Sequence, residues 1–244
     1  MGSVVEGNSV REAVAVMAAA LGQDSVIPEM REWFLDVRRP EIDPEKFRPA
    51  ADAFARWSPQ IATALFTASL PWAYAAANGV QVLERGSDLA SADIRRRIAE
   101  TAQMLVDVHG LEILSDGSFE TDSQAFRTVL GVRLLHAAVR RALLNDPDWD
   151  DTWGLPINQE DLAGTLLTFT VVVFDALHRL GVRLSADEQL ALLRLWRTVG
   201  ELLGIDESLR PSTLEGARSL QRRVSAGKHQ HRESAAGAHL MRCC

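Results

Sequence analysis

Three features of the sequence predict an all-α fold, a single multi-helix globular domain. Alanine, leucine and arginine are abundant while tyrosine occurs once, a balance that favours helix over strand. Glycine (16) and proline (9) are too few for a loop-rich all-β chain of 244 residues. No alternating apolar–polar run is long enough for a secure strand, and only Val80 to Leu83 and Leu111 to Leu114 come near one. A chain of this length buries a core without help from disulfides or a structural metal.

The elements follow in order. The first helix is predicted at 9–21; Glu6, Arg11 and Glu12 surround its start where a secretory leader would be basic, so an amphipathic helix is expected there. A second is predicted at 28–36. Asp43-Pro44 opens a helix at 44–56, and Ser58-Pro59 breaks the chain and opens another at 59–77. Gly86-Ser87 precedes 91–108, and a long helix at 121–145 stops at Asp146-Pro147. Gly154 and Pro156 lead into 159–180, with Asn158 as N-cap and an acidic Asp161 three positions on. After Gly181, Ser185-Ala-Asp-Glu188 reads as a capping box for 185–203. Gly204 ends that helix, and Arg210-Pro211 opens 211–225. The domain is placed at 1–225 and a basic tail at 226–244. In that tail His229 and His231 are two apart and share no helical face, which favours a solvated segment over a metal site.

Charge and composition exclude several classes. The net charge is 26 − 33 = −7, the wrong sign for a general phosphate-backbone binder, so no nucleic-acid partner is expected. The only cysteines, Cys243 and Cys244, are adjacent at the end and define no internal bridge; a cytoplasmic location is expected. Ser58 to Leu83 carries no charge and is long enough to span a bilayer, but Pro71, Asn78, Gly79 and Gln81 interrupt it and much of the rest is alanine. It and the charge-free run Leu162 to Phe174 are read as buried helices, with no stable membrane insertion.

The chemistry emerges by elimination. The sequence has no GxGxxG, phosphate loop, GxSxG elbow or CxxC, and no pair of Glu-x-x-His motifs for a di-iron bundle. Asp175 and His178 form only a polar edge on an apolar helix. One helix is unusual: in RLLHAAVR, His136 lies amid apolar residues with Arg133 three before and Arg140 four after, on one face with Val129, Val132 and Leu143. Two guanidiniums disfavour a charged imidazole and keep it in the neutral, metal-binding form. A hydrogen-bonded packing histidine fits the same pattern; so does an axial haem ligand with cations for the propionates. On a second helix Arg97 and Thr101 share a face, with Glu100 beside them, a set that an ordinary surface ion pair would also explain.

Several ordered blocks carry a resemblance. RLLHAAVR (Arg133 to Arg140), W-x-x-x-WGLPINQEDLAGTLLTFT (Trp149 to Thr170) and LWRTVGELLGID (Leu195 to Asp206) resemble the rubber-oxygenase-like family, which includes the bacterial latex clearing proteins and the ER-bound oxygenase of mycophenolic acid biosynthesis. LFTASLPWAYAAANGVQVL (Leu65 to Leu83) and RRIAETAQMLVDV (Arg96 to Val108) resemble it in the same order, so the likeness covers roughly 28–225. The resemblance implies an all-helical domain enclosing one haem b, with O2 as co-substrate and oxidative cleavage of a carbon–carbon double bond. It implies His136 as proximal iron ligand, with Arg133 and Arg140 as the flanking arginines of the cofactor site. It implies Arg97 and Thr101 on the distal side. Glu100 stands where some latex clearing proteins place a lysine that closes the iron site, so a closed resting state is not expected and a base is. Phe66, Leu70, Trp72, Phe169 and Phe174 would line an apolar channel. With no secretion signal read at the start, the expected substrate is a hydrophobic small molecule rather than polymeric rubber. The competing expectation is a non-catalytic helical protein that binds haem or a hydrophobic ligand.

Overall fold

The structure, a computed structural model, describes residues 44–74, 81–82, 93–109 and 124–230. The helices predicted at 9–21 and 28–36, the candidate strand at 111–114 and the tail beyond 230 lie outside the described residues. Within them every regular element is helical. In chain order these are α1 (Pro44–Ala64), α2 (Leu70–Tyr74), α3 (Asp93–His109), α4 (Gln124–Leu144), α5 (Gln159–Thr168), α6 (Val171–Arg179), α7 (Ala186–Leu202) and α8 (Leu214–Gln230). Gln81 and Val82 are helical, which overturns the candidate strand at 80–83 where it is described.

The predicted break at Ser58-Pro59 does not occur: α1 runs through both Pro49 and Pro59. An internal proline costs about 3 kcal/mol, through a lost hydrogen bond and a ring clash with the carbonyl four residues back. For Pro59 that carbonyl belongs to Ala55, which is exposed, so water can satisfy it. The same helix buries Ile61 and Ala64, and carries straight on to buried Leu65. Full burial of each large aliphatic side chain is worth about 1.5–3 kcal/mol, so Ile61 and Leu65 together offset the cost of the proline.

The second departure is paired with the first. Between α1 and α2 the chain widens into a π-turn at Leu65–Ser69, and the helix predicted at 159–180 is interrupted between α5 and α6. At the interruption Thr170 has φ −121° and ψ −104°, and its buried hydroxyl donates back to the Leu166 carbonyl at 3.1 Å. Threonine hydroxyls compete with the backbone ladder in this way, and three lie within six residues. Ser69 from the π-turn donates to the Thr168 carbonyl at 2.7 Å, so a side chain of one irregular turn satisfies a carbonyl at the other. By length and composition Gln159–Arg179 could cross a membrane, yet 72% of its apolar window is buried by the rest of the protein.

The core is built where α7 packs along α1 and where α5 and α6 are enclosed by α1, α2, α7 and α8. Trp196 of α7 is 2% exposed and stacks on Phe169 with centroids 4.3 Å apart. The capping predictions are met: Asn158 with Asp161, and Ser185 with Glu188, both form reciprocal capping boxes. Helix α8 starts at Leu214, later than predicted, because Pro211 to Thr213 form the turn that precedes it, and it runs on to Gln230.

Candidate functional site

Helix α4 buries Ala125, Phe126, Val129, Leu130 and Leu143 on its core side. His136 projects from the flank of that face, and its Nδ1 is fully enclosed with no hydrogen-bond partner. Its pKa is pushed down to about 4, chiefly by burial and secondly by the charge of Arg140. The neutral ring was expected from both arginines; desolvation does most of the work, and Arg133 is not among the causes. Buried polar atoms nearly always find partners, so the orphaned Nδ1 leaves this neutral imidazole incompletely satisfied by the protein itself. Among the described residues no three His, Cys, Asp or Glu side chains gather as a metal cage. A single imidazole is a sufficient protein ligand where a macrocycle supplies the remaining nitrogens, and to that extent the residues fit a haem.

The flanking arginines turn to backbone. Arg140 donates from Nε to the Pro156 carbonyl at 3.0 Å and from Nη2 to the Ile157 carbonyl at 2.6 Å. Arg133 donates from Nη1 to the Leu202 carbonyl at 3.1 Å, closing one of the carbonyls that a helix end leaves unpaired. Burial lowers the pKa of Arg133. Its guanidinium lies flat over Gly204, where φ is +80° and an added Cβ would stand 3.1 Å from Nη2. Glycine is needed there both for the left-handed backbone and for the close approach.

Helix α3 carries the other predicted set. Glu100 and Thr101 are both exposed, and the side chain of Arg97 lies outside the described residues. Of the proposed channel, Phe66 is 47% exposed, Phe174 is part of the core, and Phe169 is committed to its stack on Trp196. Asp175 accepts from Arg218 at 2.9 Å, and His178 is exposed.

Two residues of interest had no local signal in the sequence. His109 ends α3, is 5% exposed, donates from Nδ1 to the Leu105 carbonyl at 2.9 Å and stacks on Phe54 with centroids 4.3 Å apart. Trp196 tilts against its ring at 5.6 Å, and burial pushes the His109 pKa down to about 4. Gln159, the first residue of α5, donates from Nε2 to the Gly204 carbonyl at 3.0 Å and accepts at Oε1 from the Asp206 N–H at 2.8 Å. The sequence marks it only as a helix start, because its partners lie 45 and 47 residues away.

The fold and site define an all-helical protein with a half-buried, neutral histidine whose Nδ1 has no partner, set one helical turn from an arginine on either side. The comparisons narrow it. Residues 52–241 match the family model described as "ER-bound oxygenase mpaB/B'/Rubber oxygenase, catalytic domain", and the chain belongs to that family. It is 31% identical over 137 residues to a rubber oxygenase from Streptomyces sp. (strain K30), covering 54% of this chain and 32% of that protein. In fold it is similar to the solved structure of a latex clearing protein in the closed state, with a TM-score of 0.64 and 21% identity over 92% of this chain and 66% of that one. The chain thus spans about a third of the length of the curated relative it matches.

Proposed function

We propose that this chain is a haem b-dependent oxygenase that uses O2 to cleave a carbon–carbon double bond in a hydrophobic small molecule. Family membership over residues 52–241 supports the oxygenase class. The observation that carries the cofactor is the orphaned Nδ1 of His136 in an apolar wall. His136 would be the iron's protein ligand. When bound, the haem would supply the redox chemistry that activates O2. Cleavage adds both oxygen atoms of O2 across the alkene to give two carbonyls, so it balances without an external reductant.

The remaining roles belong to side chains. Thr101 would donate a hydrogen bond to O2, Arg97 would orient it, and Glu100 would shuttle a proton, taking it from the substrate and returning it before the two carbonyls leave. The burial that holds His136 uncharged also keeps its ring available to a metal at neutral pH, well above its pKa of about 4.

A second reading has a specific observation in its favour: Glu100 and Thr101 face outward. A haem protein without substrate turnover needs His136 but not those two. Reconstitution with haem separates the readings. The oxygenase predicts a Soret band near one haem per chain, lost in His136→Ala, together with O2 consumption on isoprenoid or aromatic alkenes that falls in Thr101→Ala. A Soret band without O2 consumption selects the second reading. Protein that stays colourless after supplementation refutes both.

A further inference from the structure

We propose that Gln159, together with Arg133 and Arg140, forms a positioning set that locks the helical turn carrying His136 against the amino-terminal end of α5. The inference deepens the reading of His136 as a ligand and rests on it for its purpose, though not for its geometry. Arg133 precedes His136 by one turn and Arg140 follows it by one turn. Each is tied to a different loop: Arg140 to the segment that enters α5, at Pro156 and Ile157, and Arg133 to the end of α7, at Leu202.

Gln159 closes the ring. Its side-chain amide both donates to Gly204 and accepts from Asp206, so the loop after α7 is held to the first residue of α5. The loop before α5 is held to α4 by Arg140. The path α4, entry loop, α5, exit loop of α7 and back to α4 is therefore continuous, and every link is a charged or side-chain amide group on backbone. Both loops have backbone that needs holding: Ile157 sits at φ +53°, a left-handed conformation that a β-branched residue adopts only when its surroundings impose it. At Gly204 an added Cβ would stand 3.1 Å from Nη2 of Arg133, so a larger residue would have to push the guanidinium aside. In this arrangement the arginines act on His136 by fixing its helix, and a carboxylate-binding role is not required of the donors already committed to carbonyls.

Gln159 is the position to test because it is exposed and lies outside the core. Gln159→Ala removes both bonds; Gln159→Glu keeps the acceptor for the Asp206 N–H and loses the donor to Gly204. Each chain is measured haem-free by amide hydrogen exchange and, after reconstitution, by the ferrous iron–imidazole stretching band and the rate of haem transfer to apomyoglobin. Losing both bonds should speed exchange about tenfold in the turn 133–140 as well as at 205–206, and Gln159→Glu, which sets a carboxylate oxygen against the Gly204 carbonyl, should speed it at least at 205–206. The stretching band should shift and haem transfer should accelerate by a similar factor, while the thermal midpoint of the haem-free chain stays near that of the parent.

Exchange in the turn 133–140 that does not change in Gln159→Ala overturns the proposal, as does an acceleration spread evenly over the chain. If the parent takes up no haem, the assigned function fails and the exchange data still decide the lock. If it takes up haem and neither the stretching band nor the turn responds, the lock fails and the function stands.

Discussion

The buried His109 makes the stability of this protein depend on pH in a defined window, and His109→Phe isolates the effect. In the folded chain the imidazole is 5% exposed, stacked on Phe54, with a pKa pushed down to about 4 by burial. In the unfolded chain it returns to an ordinary value of about 6.5. Between these values the unfolded state binds the extra proton. Stability is therefore fully present above pH 6.5 or so and is lost as pH falls towards 4.

Each pH unit well inside that window is worth about 1.4 kcal/mol, and with the ends of the window rounded off the loss from this one ring is about 2.4 kcal/mol between pH 7 and pH 4.5. Phenylalanine keeps the stack and removes the titration, at the expense of one neutral hydrogen bond to Leu105 worth about 1 kcal/mol. Urea unfolding of both chains across this range is the assay. The variant should start about 1 kcal/mol less stable at pH 7 and then decline more slowly, so that the two curves cross near pH 5 to 6. His136, also held near 4, contributes equally to both chains and cancels in the difference. Curves that stay parallel down to pH 4.5 would refute the claim that His109 is buried uncharged.

Two further outcomes follow from packing and backbone. Trp196→Ala should cost about 3–5 kcal/mol in chemical denaturation, because the side chain is 2% exposed and lies between Phe169 and His109; a loss under 1 kcal/mol would mean the aromatic stack does not form. Gly204→Ala should destabilise by about 1–3 kcal/mol, since it meets both a left-handed φ of +80° and the Arg133 guanidinium at 3.1 Å. Coupling it to Arg133→Ala in a double-mutant cycle should recover part of that loss, and strict additivity would show that only the backbone matters there.

The arrangement around His136 explains why the two arginines flank it at these spacings. One turn before and one turn after are the positions from which a long side chain can reach past the imidazole on either side to a neighbouring loop. Guanidinium suits that task because its fixed fork can bridge two consecutive carbonyls, as Arg140 does at Pro156 and Ile157. Lysine at either position would supply charge but only a single-point contact.

Much was legible in the sequence because it is local. Helical composition, the capping boxes at Asn158 and Ser185, the helix-ending glycines at 181 and 204 and the single histidine set among apolar residues between arginines all depend on neighbours a few positions away. The ordered family blocks, which rest on the same strings, pointed to the family that the chain joins. Tertiary structure decided the rest. It carried α1 through Pro59, because burial of Ile61 and Leu65 offsets the local cost of the proline. It split the helix at 159–180 where Ser69, about a hundred residues earlier, satisfies the freed Thr168 carbonyl. It sent Arg133 and Arg140 to loop carbonyls, and it recruited Gln159 and His109, whose partners are remote or whose surroundings exist only after folding. Propensity and capping are energies of adjacent residues and can be read along the chain; desolvation and long-range hydrogen bonds are energies of enclosure, and the chain acquires them only when it closes on itself.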